Sequence, residues 1–175
     1  MLKKLQHQLN LIAIGIFSLI IYSCGNSAAS VEETQRNEQT LEKIIQQNRF
    51  EIDNLWMQPL RGNQISLVGN PNQIKMYSKD SVNVYLPYHG VRQFGGGYGS
   101  SGAIDFTGKP KNFKIEKNKK DRYVITFDGN YKTEAYNFKI TLFNNLTTET
   151  YVRSNQRDNI SYSGNIKILD SSETK

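Results

Sequence analysis

The 175-residue sequence has a single cysteine, Cys24, and only two histidines, His7 and His89. One cysteine has no intramolecular disulfide partner, so a disulfide framework is excluded. No apolar run is long enough to span a membrane. The longest, Leu11 to Tyr22, is about a dozen residues, where a spanning helix needs about 20. Once the N-terminal segment is removed, His89 is the only histidine, and a zinc site would have to draw most of its ligands from Asp and Glu. No Gly-Lys-Ser/Thr follows the glycines, which excludes a P-loop, and no nucleophile-elbow pattern surrounds any serine. These absences predict no catalytic constellation, no metal and no cofactor.

What is present begins at the N-terminus. Lys3 and Lys4 form a basic region ahead of the apolar stretch, which ends at Ile21-Tyr22-Ser23-Cys24. A short apolar segment of this kind suits a secretory signal. Its end resembles the lipobox of bacterial lipoproteins, with Tyr22 where a small or aliphatic residue is usual. The resemblance implies cleavage before Cys24 and acylation of that residue. Several acyl chains anchor firmly, since each buried CH₂ contributes about 0.8 kcal/mol. Gly25 at the next position implies the outer membrane, and without an acidic cluster after Cys24 the protein is expected to face the periplasm. The reading is residues 1–23 as signal peptide, Cys24 as lipidation site, 24–37 as flexible tether, 38–170 as one β-rich domain with an N-terminal helix, and 171–175 as a frayed tail.

The formal charge is +6, and removing Lys3 and Lys4 leaves 20 basic against 16 acidic residues, or +4. The excess is dispersed apart from Lys117, Lys119 and Lys120, which reads as solvated surface. An exported protein seldom meets nucleic acid, so none is expected as a partner. Ten Tyr and eight Phe in a chain of mean hydropathy −0.59 favour a half-buried β fold.

Glu38 to Asn48 places Leu41, Ile44 and Ile45 at helical spacing, which predicts one short amphipathic helix. From Arg49 the period changes to two. Phe50 and Ile52 alternate with Glu51 and Asp53, and Pro59 ends that strand. Gln64–Val68, Gln73–Tyr77, Ser81–Leu86 and Ala103–Phe106 follow, then Asn112–Lys117, Arg122–Phe127, Glu134–Phe143, Leu146–Arg153 and Asn159–Leu169, the last bent at Gly164. Asp128-Gly129-Asn130 and Asn144-Asn145 read as hairpin turns, Asn being tolerant of positive φ. About ten short strands with hairpin connections predict an antiparallel sandwich or barrel.

Between Pro87 and Ala103 lies a loop rich in glycine and aromatics. Gly97, Gly99 and Gly102 spell G-x-G-x-x-G, with Asp121 further on. A dinucleotide site needs a helix after those glycines, and here Ala103 to Phe106 alternates as a strand. Tyr85, Tyr88, His89, Arg92, Phe94 and Tyr98 are the candidate ligand-binding residues, as a stacking surface for a sugar ring, peptide or lipid headgroup. The bland alternative is that the aromatics cap the end of the β core. A Ser-His-Asp arrangement of His89 with Ser100, Ser101 and Asp105 has no supporting pattern. Asp80-Ser81-Val82 fits a short pattern on which some Gram-negative envelope proteins carry O-glycans.

The sequence resembles a family of secreted or lipidated proteins of Bacteroidetes-type bacteria, known as domain of unknown function 4251. The resemblance rests on Arg61-Gly62, Ile65-Ser66-Leu67, Asn70, Ile74, Asp80-Ser81-Val82, Tyr85-Leu86-Pro87-Tyr88, Gly96, Gly97, Gly102, Ile104, Phe106 and Ile160-Ser161-Tyr162. It implies an exported β-rich domain and supplies no catalytic residues. The expected function is a lipid-anchored, non-enzymatic envelope protein that binds a small molecule, glycan or protein partner. The rivals are a hydrolase of an envelope polymer using Asp105 or His89, and a structural or assembly component.

Overall fold

The computed structural model describes residues 27–92, 102–170 and 172–173. The chain divides into Met1–Arg36 and Asn37–Lys175. Lipidation at Cys24, the signal segment, Phe94, Tyr98 and most of the glycine-rich loop fall outside the described residues.

Helix α1 spans Ser27–Gln47, so residues 27–37, read above as tether, are helical. The apolar spacing that marks a helix begins only at Leu41, but Ala, Glu, Gln and Arg before it are good helix formers with no face to bury. Glu32 and Arg36 add an i,i+4 ion pair at 2.5 Å. The helix ends at Asn48, whose φ of +51° and N–H bond to the Ile44 carbonyl form a left-handed cap. In the second unit, Leu41 and Ile44 are buried in the hydrophobic core and Ile45 packs against it.

Ten strands follow among the described residues: β1 (Phe50–Pro59), β2 (Ile65–Ser66), β3 (Gln73–Ser78), β4 (Ser81–Leu86), β5 (Ile104–Gly108), β6 (Lys111–Lys117), β7 (Tyr123–Tyr131), β8 (Glu134–Leu142), β9 (Thr147–Ser154) and β10 (Ile160–Lys167). They form one antiparallel sheet in the order β5-β4-β3-β1-β10-β9-β8-β7-β6, with β2 paired to β1 beside that path. The fold is therefore a half-barrel and not a two-sheet sandwich. Period-2 alternation turns Ile52, Ile74, Val84, Phe138, Ile140 and Ile166 inward, each almost fully buried. Phe127 and Phe138 stack across β7 and β8 with centroids 4.6 Å apart.

One turn moves, and another keeps its place but not its positive-φ residue. Gly129 lies inside β7 opposite Tyr136, and the turn falls at Lys132-Thr133, with Lys132 at φ +54°. Gly129 serves packing instead: a Cβ there would meet the Phe106 ring at 2.8 Å, so the missing side chain lets β5 lie over β7. The turn after β8 does fall at Asn144-Asn145, but the positive φ belongs to Leu146 at +62°. Leu146 N–H bonds to the Phe143 carbonyl and Phe143 N–H to the Thr147 carbonyl, as in a type I turn closed by a left-handed residue. The turn at Asn118–Asp121 is built alike, with Asp121 at φ +56°.

Strand β1 is bulged between Asn54 and Trp56, opposite Gly164 of β10. Unbroken alternation would bury Trp56 with Ile52 and Asn54; the bulge turns it outward, where it is 42% exposed. Near the C-terminus, Glu173 is held by Lys75 at 2.5 Å, and its carbonyl accepts from Arg49, so residue 173 is tied to the sheet and not frayed.

Candidate functional site

Strand β4 stops at Leu86, just before Pro87, which has no N–H to continue the ladder. Tyr162, buried on β10, donates its hydroxyl to the Pro87 carbonyl at 2.7 Å and fixes the exit of the chain from the sheet. Tyr88 then folds back over Gly90. Its hydroxyl donates to the Val91 carbonyl at 2.9 Å, with the Asp158 carbonyl also near at 3.3 Å. Burial and the Asp158 charge hold that hydroxyl above the usual tyrosine pKa. Asp158 N–H returns a bond to Val91, and Arg92 bridges to Arg157 as an isolated antiparallel pair. The start of the glycine-rich loop is thus laced to the connection between β9 and β10.

The centre of this region is a pair absent from the sequence-based candidates. Arg157 and Glu134 are both buried, with side chains 3% and 5% exposed. Arg157 donates from Nε to one Glu134 oxygen at 2.6 Å and from Nη2 to the other at 2.9 Å. The rest of its guanidinium donates to the Tyr136 hydroxyl at 3.2 Å and to the Gly102 and Ala103 carbonyls at 2.9 and 3.2 Å. All five N–H groups of the fork are therefore occupied. The Tyr88 ring lies beneath the guanidinium, 5.0 Å from centroid to Cζ. Glu134 also accepts from Ser154 at 2.6 Å and from Arg92 at 3.2 Å. Burial pushes the Glu134 carboxyl up, but hydrogen bonds from Arg157, Ser154 and Tyr136 outweigh it and hold it at about 2.

This network grips both ends of the segment 93–101. Arg92 precedes it and is bound to Glu134; Gly102 follows it and is bound to Arg157. One carboxylate faces two guanidiniums, so the cluster keeps a net positive charge. Beside it lies a cavity of about 520 Å³ whose lining includes Arg61, Tyr88, His89, Arg92 and Asp158, with Leu60 and Val91. Those last two are 58% and 56% exposed.

Of the six expected ligand-binding residues, Tyr88, His89 and Arg92 meet in this cavity. Tyr85 does not: it sits on the outer face of β4, in a separate cavity with Asp53 and Asp105. Phe94 and Tyr98 lie outside the described residues. His89 and Asp105 line different cavities, so the described geometry does not join them in one cleft. Asp105 does share its cavity with Asp53 and Glu51, although Glu51 is paired with Lys75 and Lys167 at 3.7 and 3.0 Å. Among the described residues no group of His, Cys, Asp and Glu is placed to hold a metal, and no helix is long and apolar enough to cross a membrane. The Ser81 hydroxyl is buried, which bars a glycan there in the folded domain.

Glu134 left one signal in the sequence. It stands two residues before Tyr136 in the alternation that buries Tyr136, Phe138, Ile140 and Leu142, so it is a carboxylate on a buried face. Arg157 left none, being one polar residue in a polar connection.

Residues 32–166 match the family described as a domain of unknown function, DUF4251. A crystal structure of a DUF4251 family protein from Bacteroides eggerthii matches with a TM-score of 0.60 and 15% identity, over 78% of this chain and 90% of that one. At that identity the likeness carries the fold alone. The comparison with the curated proteins gives no match. With the family match running from the helix almost to the end of β10, the protein belongs to the DUF4251 family.

Proposed function

We propose that this protein is a non-enzymatic, lipid-anchored envelope protein that binds an anionic amphiphile in the cavity at the base of the glycine-rich loop. The observation that carries this reading is the joint lining of that cavity by Arg61, His89 and Arg92 with the exposed apolar Leu60 and Val91. Two guanidiniums and an imidazole beside solvent-exposed aliphatic surface, with Asp158 the one carboxylate in the lining, suit a carboxylate or phosphate joined to an apolar tail. Arg157 is saturated by its own partners and Arg92 is bound to Glu134, so the ligand would meet Arg61 first, with His89 and Arg92 beside it. Tyr88 positions that wall and supports Arg157 from below.

Laurate tests the cavity, with dodecanol as its uncharged counterpart. Calorimetry on the wild-type protein should show saturable laurate binding, weaker by about tenfold in Arg61→Gln and absent for dodecanol. Arg61 is exposed, so this change leaves the fold intact. Equal binding by the variant, or none by the wild type, would remove the proposal.

The anchor rests on the N-terminal segment and Cys24. Cys24→Ser should move the protein from the membrane fraction to the soluble fraction of lysed cells. Retention in the membrane pellet would contradict lipidation at that residue.

A further inference from the structure

A third cavity lies on the outer face of the sheet, across β1, β10 and β9, and has a volume of about 520 Å³. Its floor and walls follow from strand register. Trp56 of β1 pairs with Ser163 of β10, and Ser163 pairs with Glu149 of β9, which puts the three in one row. Neighbouring strands are about 4.8 Å apart, so the Trp56 and Glu149 positions stand about 10 Å apart along the row, with the small Ser163 between them. The result is a trough with an aromatic wall, an acidic wall and a polar floor. Gln58, Gln64 and Asn165 add amides to the same lining.

We infer that this trough is a binding site for a neutral saccharide. Trp56 is the only tryptophan in the chain, and it would be buried if β1 ran without its bulge. The bulge instead presents a large flat ring to solvent, in a lining that joins Leu55 and Phe143 to amides and hydroxyls. A pyranose has that dual character: its C–H faces stack on an indole, while its hydroxyls need closely spaced donors and acceptors. The lining contains no lysine or arginine, and Glu149 is its one charge, so an anionic ligand is disfavoured. The cavity volume falls within the range of about 300–1,000 Å³ that small-ligand sites occupy. This site shares no lining residue with the arginine-lined cavity, and the two stand or fall separately.

The sole tryptophan is also the reporter. Titration of the purified full chain with cellopentaose, maltopentaose and N-acetylchitopentaose should give a saturable change in Trp56 emission with at least one of them. Calorimetry with that sugar should then show affinity reduced by about tenfold or more in Trp56→Ala and in Glu149→Gln, and unchanged in Arg61→Gln. Thermal unfolding of each variant separates lost contact from lost fold. Oligogalacturonate, which is anionic, should not bind. The inference is overturned if all three neutral sugars fail to saturate. It is equally overturned if folded Trp56→Ala and Glu149→Gln bind as the wild type does, or if oligogalacturonate binds as well as the neutral chains.

Discussion

Glu134→Ala is expected to destabilise the domain by about 3–5 kcal/mol, because it leaves the Arg157 guanidinium buried with its main counter-charge gone. That is a large part of the total stability of a domain this size, about 5–15 kcal/mol. Urea unfolding followed by circular dichroism measures it. A loss below about 1 kcal/mol would show that the pair is solvated and not buried as described. Removing both charges together should be milder, so Glu134→Leu combined with Arg157→Met should recover part of the stability lost by Glu134→Ala, the Gly102 and Ala103 carbonyls losing the Arg157 donors and Arg92 losing Glu134. The same pair predicts the acid behaviour. The folded carboxyl sits at about 2, below its ordinary 4.5, so its contribution is present above pH 4.5 and is lost as pH falls toward 2. That contribution is on the order of 3 kcal/mol at neutral pH. In Glu134→Leu/Arg157→Met this part of the acid sensitivity should disappear.

The second large effect is expected at Gly164. A Cβ there would overlap the Asp53 carbonyl oxygen and lie 2.5 Å from the Asn54 Cα. Both are backbone atoms of the paired strand, and neither can swing aside as a side chain can. Gly164→Ala should therefore lower stability by about 3 kcal/mol or more, by separating β1 from β10 at the bulge. Gly69→Ala makes the comparison. Gly69 has φ +81° but nothing within 4 Å of the added methyl, so the backbone conformation alone should cost about 1 kcal/mol. Equal unfolding midpoints for the two variants would contradict the close approach. Because the bulge also turns Trp56 outward, Gly164→Ala should weaken any ligand held against that ring.

The contrast between Gly164 and Gly129 shows why parts of the fold were legible and others were not. Both glycines stood out in the sequence, one as a bend and one as a turn. At Gly129 the turn reading failed because the residue faces Phe106, a side chain from a strand that precedes it by more than twenty positions. At Gly164 β10 runs on unbroken and the irregularity is the bulge of β1 opposite it, so the glycine answers to the backbone of β1 across the sheet. No local pattern records a neighbour of that kind. The candidate site divides in the same way. Tyr88, His89 and Arg92 were visible as an aromatic and cationic cluster close together in the chain, whereas Tyr85, equally close in sequence, points to another cavity because it sits one strand face away.

Alternating apolar residues by themselves determined the number of strands, the faces they bury wherever no bulge intervenes, and the helix at Leu41 to Ile45, because a period of two or of 3.6 is a property of consecutive residues. The N-terminal segment likewise carries its expectation of export and anchoring within some two dozen residues. Only the tertiary structure decided that the sheet rolls into a half-barrel, that Trp56 faces outward, and that Glu134 meets Arg157 across 23 positions of chain. Those outcomes depend on register and on which strands become neighbours. The same alternating pattern is compatible with many pairings, and only packing selects one of them.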